Sequence, residues 1–265
     1  MPLGVHFWIR GASQDKFTGI ISNKGVECVD LRARVNSLLK TLPRSSPESI
    51  ASVTALIQEC KHLYAQLVDW CAMVPEYYLP RVAAIISEPS PGADYGQMEA
   101  YPGPVYGFED FTASTMTISA WSHRLILLSQ IIRCAAWIHH PGDYHETQEY
   151  KDATHAALEL LPLVASALPY QLGWFNGRKD LLGAQQLPSF ACGRDDHPKG
   201  LAGEVSSWML VSILINDAAK ESQREWARGR LRYVHKTHGL YQAQAQSGVS
   251  IMSIFCSPET ASNHC

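Results

Sequence analysis

The amino-acid sequence predicts an all-α fold, a single domain of packed, mostly antiparallel helices around one core. Apolar residues recur at three- and four-residue spacings along several long stretches, and convincing strand-like alternation is missing. A hydrophobic share of 46% over 265 residues is enough for a substantial core. We expect an irregular segment over residues 1–25, a helical domain over 26–254 and a flexible tail over 255–265.

Two helices are predicted in the N-terminal part of the chain. Apolar spacing predicts the first over residues 26–42, and Pro43 ends it. The second begins near Pro47, which suits a first helical turn, and runs to about Met73. Prolines then force an extended link, and residues 81–88 form either a strand or one helical turn.

The longest predicted helix covers residues 110–140, a stretch without proline that carries a buried apolar stripe. Trp121 lies on this stripe and is expected in the core. Arg124 also lies on an apolar face, so we expect it to be partly buried and bonded to a carboxylate. Asp110 and Glu109 are the nearest carboxylates in sequence, and a partner from another helix is the alternative.

Beyond residue 142 the sequence predicts a helix, a long loop and a second helix. Asp152 or Thr154 is expected to cap a helix that reaches about residue 167 and bends at Pro162. Residues 173–200 are rich in glycine, proline and charge, which predicts a long loop. Residues 203–215 are apolar and predict a buried helix.

The last strong helical pattern begins at Ser222, which is expected to form a capping box with Glu225. Trp226 follows among apolar residues at helical spacing and is expected in the core. Gly239 fits a left-handed cap at the end of this helix. Residues 242–253 are expected to extend as a further helix.

Four segments carry a family resemblance. The first is a YPG turn followed by a Trp–Arg–Leu-Leu–Ile-Ile-Arg-Cys helix, over residues 101–134. The others are MVPEYYLPR at 73–81, ATHAALELLPLVASALPYQLG at 153–173 and REWARGRLRYVHKTHGLYQA at 224–243. Together they resemble the C-terminal regulatory domain of fungal zinc binuclear-cluster transcription factors, over roughly residues 69–243. The resemblance implies a helical regulatory module that acts through protein contacts or a small ligand.

The DNA-reading cluster of that family has no counterpart in this sequence. It needs six cysteines in a short basic segment, because two Zn²⁺ ions share their thiolates. The cysteines here contain no C-x-x-C pair: Cys28, Cys60, Cys71, Cys134, Cys192, Cys256 and Cys265. This scatter favours reduced thiols, in a nucleus or cytoplasm, over a disulfide framework. With a net charge of −3, the chain is expected to show no sequence-specific DNA binding of its own.

Two polar clusters offer metal-dependent chemistry as alternatives. Residues 139–146 (HHPGDYHE) group histidines and carboxylates, but a helix end followed by a polar turn is the favoured interpretation. Residues 194–197 (RDDH) and Asn216-Asp217 partly match the Mg²⁺-binding motifs of all-α isoprenoid cyclases. Lys199 follows the first motif and Lys220 replaces a ligand in the second, which places positive charge in a cation site. A solvated loop is therefore favoured.

A basic helix is the third candidate. Its cations are Arg224, Arg228, Arg230, Arg232, His235, Lys236 and His238. A basic face can meet DNA or an acidic partner, but Glu221 and Glu225 share the helix, so a solvated face is the favoured interpretation.

These observations assign no catalytic, cofactor-binding or metal-binding residue. We expect a non-catalytic regulatory domain whose partner is a protein, a second copy of the chain or a small-molecule effector. The alternative is an enzyme of fungal specialised metabolism, for example one with isoprenoid cyclase-like activity, on the same all-α scaffold. The sequence contains no apolar run of about 18 residues, so no membrane partner is expected.

Overall fold

The computed structural model describes residues 16–44, 46–194 and 201–248. Within these residues the chain folds into seven α-helices and one two-stranded antiparallel sheet, which confirms the all-α prediction. The helices are α1 Lys16–Thr41, α2 Pro47–Met73, α3 Phe111–His139, α4 Gln148–Gln171, α5 Leu201–Leu214, α6 Glu221–His238 and α7 Tyr241–Ser247; the strands are β1 Arg81–Ile86 and β2 Gly103–Gly107.

Helix α3 is the centre of the fold. It contacts α1, α2, α4 and α5, so side chains around most of its circumference are buried. Asp110 caps its N-terminus, with Oδ1 accepting a hydrogen bond from the amide of Ala113 at 2.8 Å. The prediction over residues 110–140 is confirmed to within one residue at each end. Trp121 is 8% exposed, which confirms its predicted place in the core.

Helix α1 begins at Lys16, ten residues before the predicted start, and crosses the expected boundary at residue 25. Its early turns are held by long-range packing: Ile21 is buried, and the hydroxyls of Thr18 and Tyr78 are 3.1 Å apart. Two glycines and several polar residues obscure the apolar pattern there, so local propensity alone gave too late a start. The start of α2 at Pro47 is confirmed, with Ser46 as the cap.

Two later caps differ from the prediction. Thr147, and not Asp152 or Thr154, caps α4, because its Oγ1 accepts from the amide of Tyr150 at 3.2 Å. Helix α6 begins at Glu221, and Gln223 Oε1 accepts from the amide of Lys220 at 2.9 Å. The predicted capping box of Ser222 with Glu225 is therefore wrong.

The later elements confirm several other predictions and extend some of them. Helix α4 runs through Pro162 and continues to Gln171. The predicted loop contains two short 3₁₀ helices, Trp174–Gly177 and Lys179–Leu182. Gly239 has the predicted left-handed conformation, with φ of 69°.

Strand β1 decides the choice left open over residues 81–88 in favour of a strand, whereas β2 was not predicted. Strands β1 and β2 pair antiparallel, with an irregularity between Val82 and Ala84. Each strand has at most six residues, which is too short to leave a clear alternating pattern in the sequence. Of the helices that the structure describes, none combines the length and the apolar character that crossing a membrane requires.

Candidate functional site

Arg230 on α6 is the unusual charged residue of this fold. It is 7% exposed, and no other Asp, Glu, Lys or Arg among the described residues is buried to that degree. The sequence placed it on a solvated helix face, so this expectation is wrong for Arg230. Burying an unpaired charge costs free energy, so the groups around Arg230 decide how far that cost is offset.

Two glycines force α6 against the turn at residues 95–97. Gly229 packs directly on Gly96, where a Cβ atom at Gly229 would overlap the Gly96 carbonyl. The turn itself is fixed by Asp94, whose Oδ1 accepts a hydrogen bond from the amide of Gly96 at 2.8 Å. This close backbone approach holds α6 beside the segment that continues to Glu99, whose carboxylate acts on the pKa of Arg230.

The guanidinium of Arg230 has no acceptor among the described residues. Its Nε is enclosed and unpartnered, and its cation lies 5.2 Å from the centroid of the Tyr233 ring. Burial lowers the pKa of Arg230, the carboxylate of Glu99 raises it, and the charge of Arg232 lowers it again. The positive charge is thus only partly compensated.

Glu99 is already engaged by a second arginine. Arg178 Nη2 donates to Glu99 Oε2 at 3.0 Å, and Arg178 Nη1 donates to the carbonyl of Trp174 at 2.7 Å. The Arg178 guanidinium also stacks over the Trp174 ring, 4.6 Å from its centroid. Arg178 is therefore bonded to Glu99, and Arg230 lies within range of the same carboxylate.

Asn176 carries an enclosed acceptor without a partner. Asn176 Nδ2 donates to the carbonyl of Cys192 at 3.0 Å, while Asn176 Oδ1 is enclosed without a donor. Gly193 lies close to both Tyr233 and Asn176: a Cβ atom there would lie 2.9 Å from Tyr233 Oη and 3.6 Å from Asn176 Nδ2. We call the group Arg230, Tyr233, Asn176, Arg178, Trp174 and Glu99 the Arg230 site.

The Arg230 site suits binding better than bond making or bond breaking. Burial raises the pKa of the Cys192 thiol to about 12, and burial also raises the pKa of Tyr233. Both groups keep their protons near neutral pH, so neither is an activated nucleophile or base there.

Two other arginines of α6 have protein partners, and Arg232 is exposed. Arg224 Nη2 donates to the carbonyls of Asn216 and Asp217, at 3.0 and 3.1 Å. Arg228 Nη1 pairs with Glu221 Oε1 at 2.7 Å. These contacts leave Arg230 as the arginine of the helix whose burial is not explained by a bonded partner.

The polar clusters that the sequence singled out have structural roles where they are described. Asp143 and His145 are paired at 2.5 Å, and Glu146 is paired with a lysine at 3.0 Å. Asn216 is buried and donates to Ser129 Oγ at 3.3 Å, so it holds α3 against the end of α5. Residues 195–197 lie outside the described residues. Nowhere in residues 16–44, 46–194 and 201–248 do three metal-ligating groups come together.

Arg124 is half-buried as predicted, but its predicted carboxylate partner is wrong. Arg124 Nη2 donates to Tyr64 Oη at 3.0 Å, and the cation lies 5.0 Å from that ring's centroid. Asp110 caps the N-terminus of α3, and Glu109 pairs with Arg81 at 3.2 Å. Fourteen residues of helix separate Asp110 from Arg124, about 21 Å, so sequence proximity did not bring them together.

A groove of about 520 Å³ also opens between α1 and α2. Its one arginine, Arg34, is neutralised by Glu59 through contacts of 2.5 and 2.8 Å. This pairing leaves no uncompensated charge comparable to that of Arg230.

In comparisons with protein-family models, curated proteins and solved structures, nothing matches this chain.

Proposed function

We propose that this chain is a non-catalytic regulatory domain of the fungal zinc binuclear-cluster type, without its own DNA-binding cluster, and that a small organic anion controls it. The resemblance over residues 69–243 supports the regulatory role. The ligand role is carried by one observation: Arg230 is buried, only partly neutralised, and without a hydrogen-bond acceptor among the described residues.

The site favours a carboxylate attached to a planar ring. A guanidinium presents a fork of donors that matches a carboxylate, and charge-assisted bonds of this kind are strong in an enclosed site. The rings of Tyr233 and Trp174 offer aromatic surface beside Arg230 and Arg178. Asn176 Oδ1 adds an acceptor for a hydroxyl donor of the same ligand. Hydroxylated aromatic acids combine these features.

Regulation follows if the ligand fixes neighbouring elements together. The Arg230 site joins α6, the segment around residues 95–99 and the 3₁₀ helix Trp174–Gly177, which are distant in sequence. An anion held between them adds a link that exists only in the bound state, so binding favours one arrangement of these elements.

The binding test uses thermal shift and titration calorimetry with hydroxylated aromatic acids, each matched to its neutral amide. We expect the acids to raise the melting temperature and the amides to have no effect. Arg230→Gln should abolish the shift, while Arg228→Gln, on the same helix and paired with Glu221, should keep it. Equal responses to acids and amides would contradict the anion site.

The regulatory test fuses the full chain to an unrelated DNA-binding domain and measures a reporter. We expect the active acids to change reporter output, and Arg230→Gln to remove that change. Turnover of a prenyl diphosphate by the purified chain with Mg²⁺ would contradict the non-catalytic half of the proposal and favour the enzyme alternative.

A further inference from the structure

Two arginines, Arg32 and Arg133, form a pair where α1, α3 and α5 meet. Arg133 on α3 is half-buried, and its Nη1 donates to Asn36 Oδ1 at 2.7 Å and to Gln130 Oε1 at 2.8 Å. Gln130 is 1% exposed, so one of these two acceptors is part of the core. Neutral amides thus orient the Arg133 guanidinium without cancelling its charge.

Arg32 is the second member of the pair. It precedes Asn36 by four residues on α1, so both lie on one face of the helix, and Arg133 reaches that face through Asn36. The Arg32 cation lies 5.8 Å from the centroid of the Trp208 ring on α5. It has no hydrogen bond or ion pair with the described residues. Arg32 and Arg133 are each half-buried and Trp208 is 46% exposed, so solvent reaches part of each of the three residues.

The charges of this pair are left uncompensated by the described part of the chain. Burial lowers the pKa of both guanidiniums, and the charge of Arg32 lowers the pKa of Arg133 further. No carboxylate contributes to either pKa. By contrast, Arg34, two residues from Arg32 on α1, is matched to Glu59 at 2.5 Å. Two neighbouring cations, both partly desolvated and one of them held by amides, are the arrangement that an oxyanion stabilises.

We propose that Arg133, oriented by Asn36 and Gln130, and Arg32, beside the Trp208 ring, together form a binding site for the phosphate group of a small molecule. Two guanidiniums match the double negative charge of a phosphate dianion, and the fork geometry of each suits phosphate oxygens. This site shares no residue with the Arg230 site and does not depend on the function proposed for it.

The experiment titrates the full chain with inorganic phosphate and with pyrophosphate, at constant ionic strength, by calorimetry and tryptophan fluorescence. We expect phosphate to bind and to perturb the emission, and Trp208→Phe to remove the perturbation while binding remains. Arg32→Gln and Arg133→Gln should each weaken binding at least tenfold. Arg34→Gln, which removes an exposed arginine from the same helix, should leave it unchanged.

Several outcomes would overturn the proposal. One is phosphate affinity that is unchanged in Arg32→Gln; this variant removes no hydrogen bond to the described residues and is expected to fold. Equal loss in Arg34→Gln would show general surface attraction and no defined site. Loss in Arg230→Gln alone would assign phosphate to the Arg230 site, whereas failure of aromatic acids to bind there would leave the Arg32–Arg133 result unaffected.

Discussion

Replacement of Arg230 by methionine should stabilise the unliganded protein. Arg230 is 7% exposed, its Nε has no acceptor, and burial lowers its pKa. Desolvation of one ion costs several kcal/mol, whereas the contact with Tyr233 returns about 0.5–2 kcal/mol. Methionine fills similar space without charge. We expect the free energy of unfolding to rise by about 1–3 kcal/mol, close to the range for replacing buried ionic groups by apolar ones.

The measurement is urea unfolding followed by circular dichroism, on protein freed of small molecules by dialysis. For a chain of this size, the change corresponds to a rise in melting temperature of roughly 2–12 °C. Arg228→Met is the matched control on α6. Its arginine is paired with an exposed glutamate, so we expect a change within about 1 kcal/mol.

A loss of stability greater than about 1 kcal/mol in Arg230→Met, with Arg228→Met unchanged, would contradict this expectation. It would mean that Arg230 supports the unliganded fold, and its burial would no longer point to a ligand. A gain in stability together with loss of acid binding would show that Arg230 binds the ligand and does not support the unliganded fold.

Three further outcomes are expected. Trp226→Ala should lower the free energy of unfolding by roughly 3–5 kcal/mol, because Trp226 is 0% exposed; an unchanged melting temperature would contradict this. Burial lowers the pKa of His123 from 6.5 to about 4, so the unfolded chain binds its proton first as pH falls. Stability should therefore fall between about pH 6.5 and pH 4, by at most about 1.4 kcal/mol per pH unit, and His123→Leu should flatten that slope in a pH series of melts. Mobility-shift titration against a genomic fragment library should give no enriched motif, since the net charge is −3; enrichment abolished by Arg228→Ala with Arg232→Ala would make α6 a DNA reader.

Local signals in the sequence were enough to predict the helical class and several of the helices. The spans of α2 and α3 were predicted because Ser46, Pro47 and Asp110 mark their starts within one turn of an apolar stripe. Trp226 was predicted in the core because apolar residues follow it at helical spacing, and it is fully buried. The start of α1 at Lys16 was missed, because packing against Tyr78 and other distant residues outweighs a weak local pattern there.

The burial of Arg230 had a partial signal in the sequence. Arg230 lies four residues after Trp226 and four before Val234, and both of these are fully buried, so the three share one helix face. This spacing is not apparent when all the cations of α6 are treated as one group, because its buried and exposed faces both carry arginines. Arg32 has a similar signal, since it follows the buried Cys28 by four residues.

Only the tertiary structure decided which of these arginines lack partners. Glu99, Arg178 and Arg230 come from three segments far apart in sequence, and the packing of Gly229 on Gly96 brings α6 to the segment that carries Glu99. Likewise, Asn36 and Arg133 are joined by packing of α1 on α3. Periodicity reports which side of a helix is apolar, whereas neutralisation of a charge depends on groups that other elements bring to it. The chemistry of both arginine sites therefore became visible only in the folded chain.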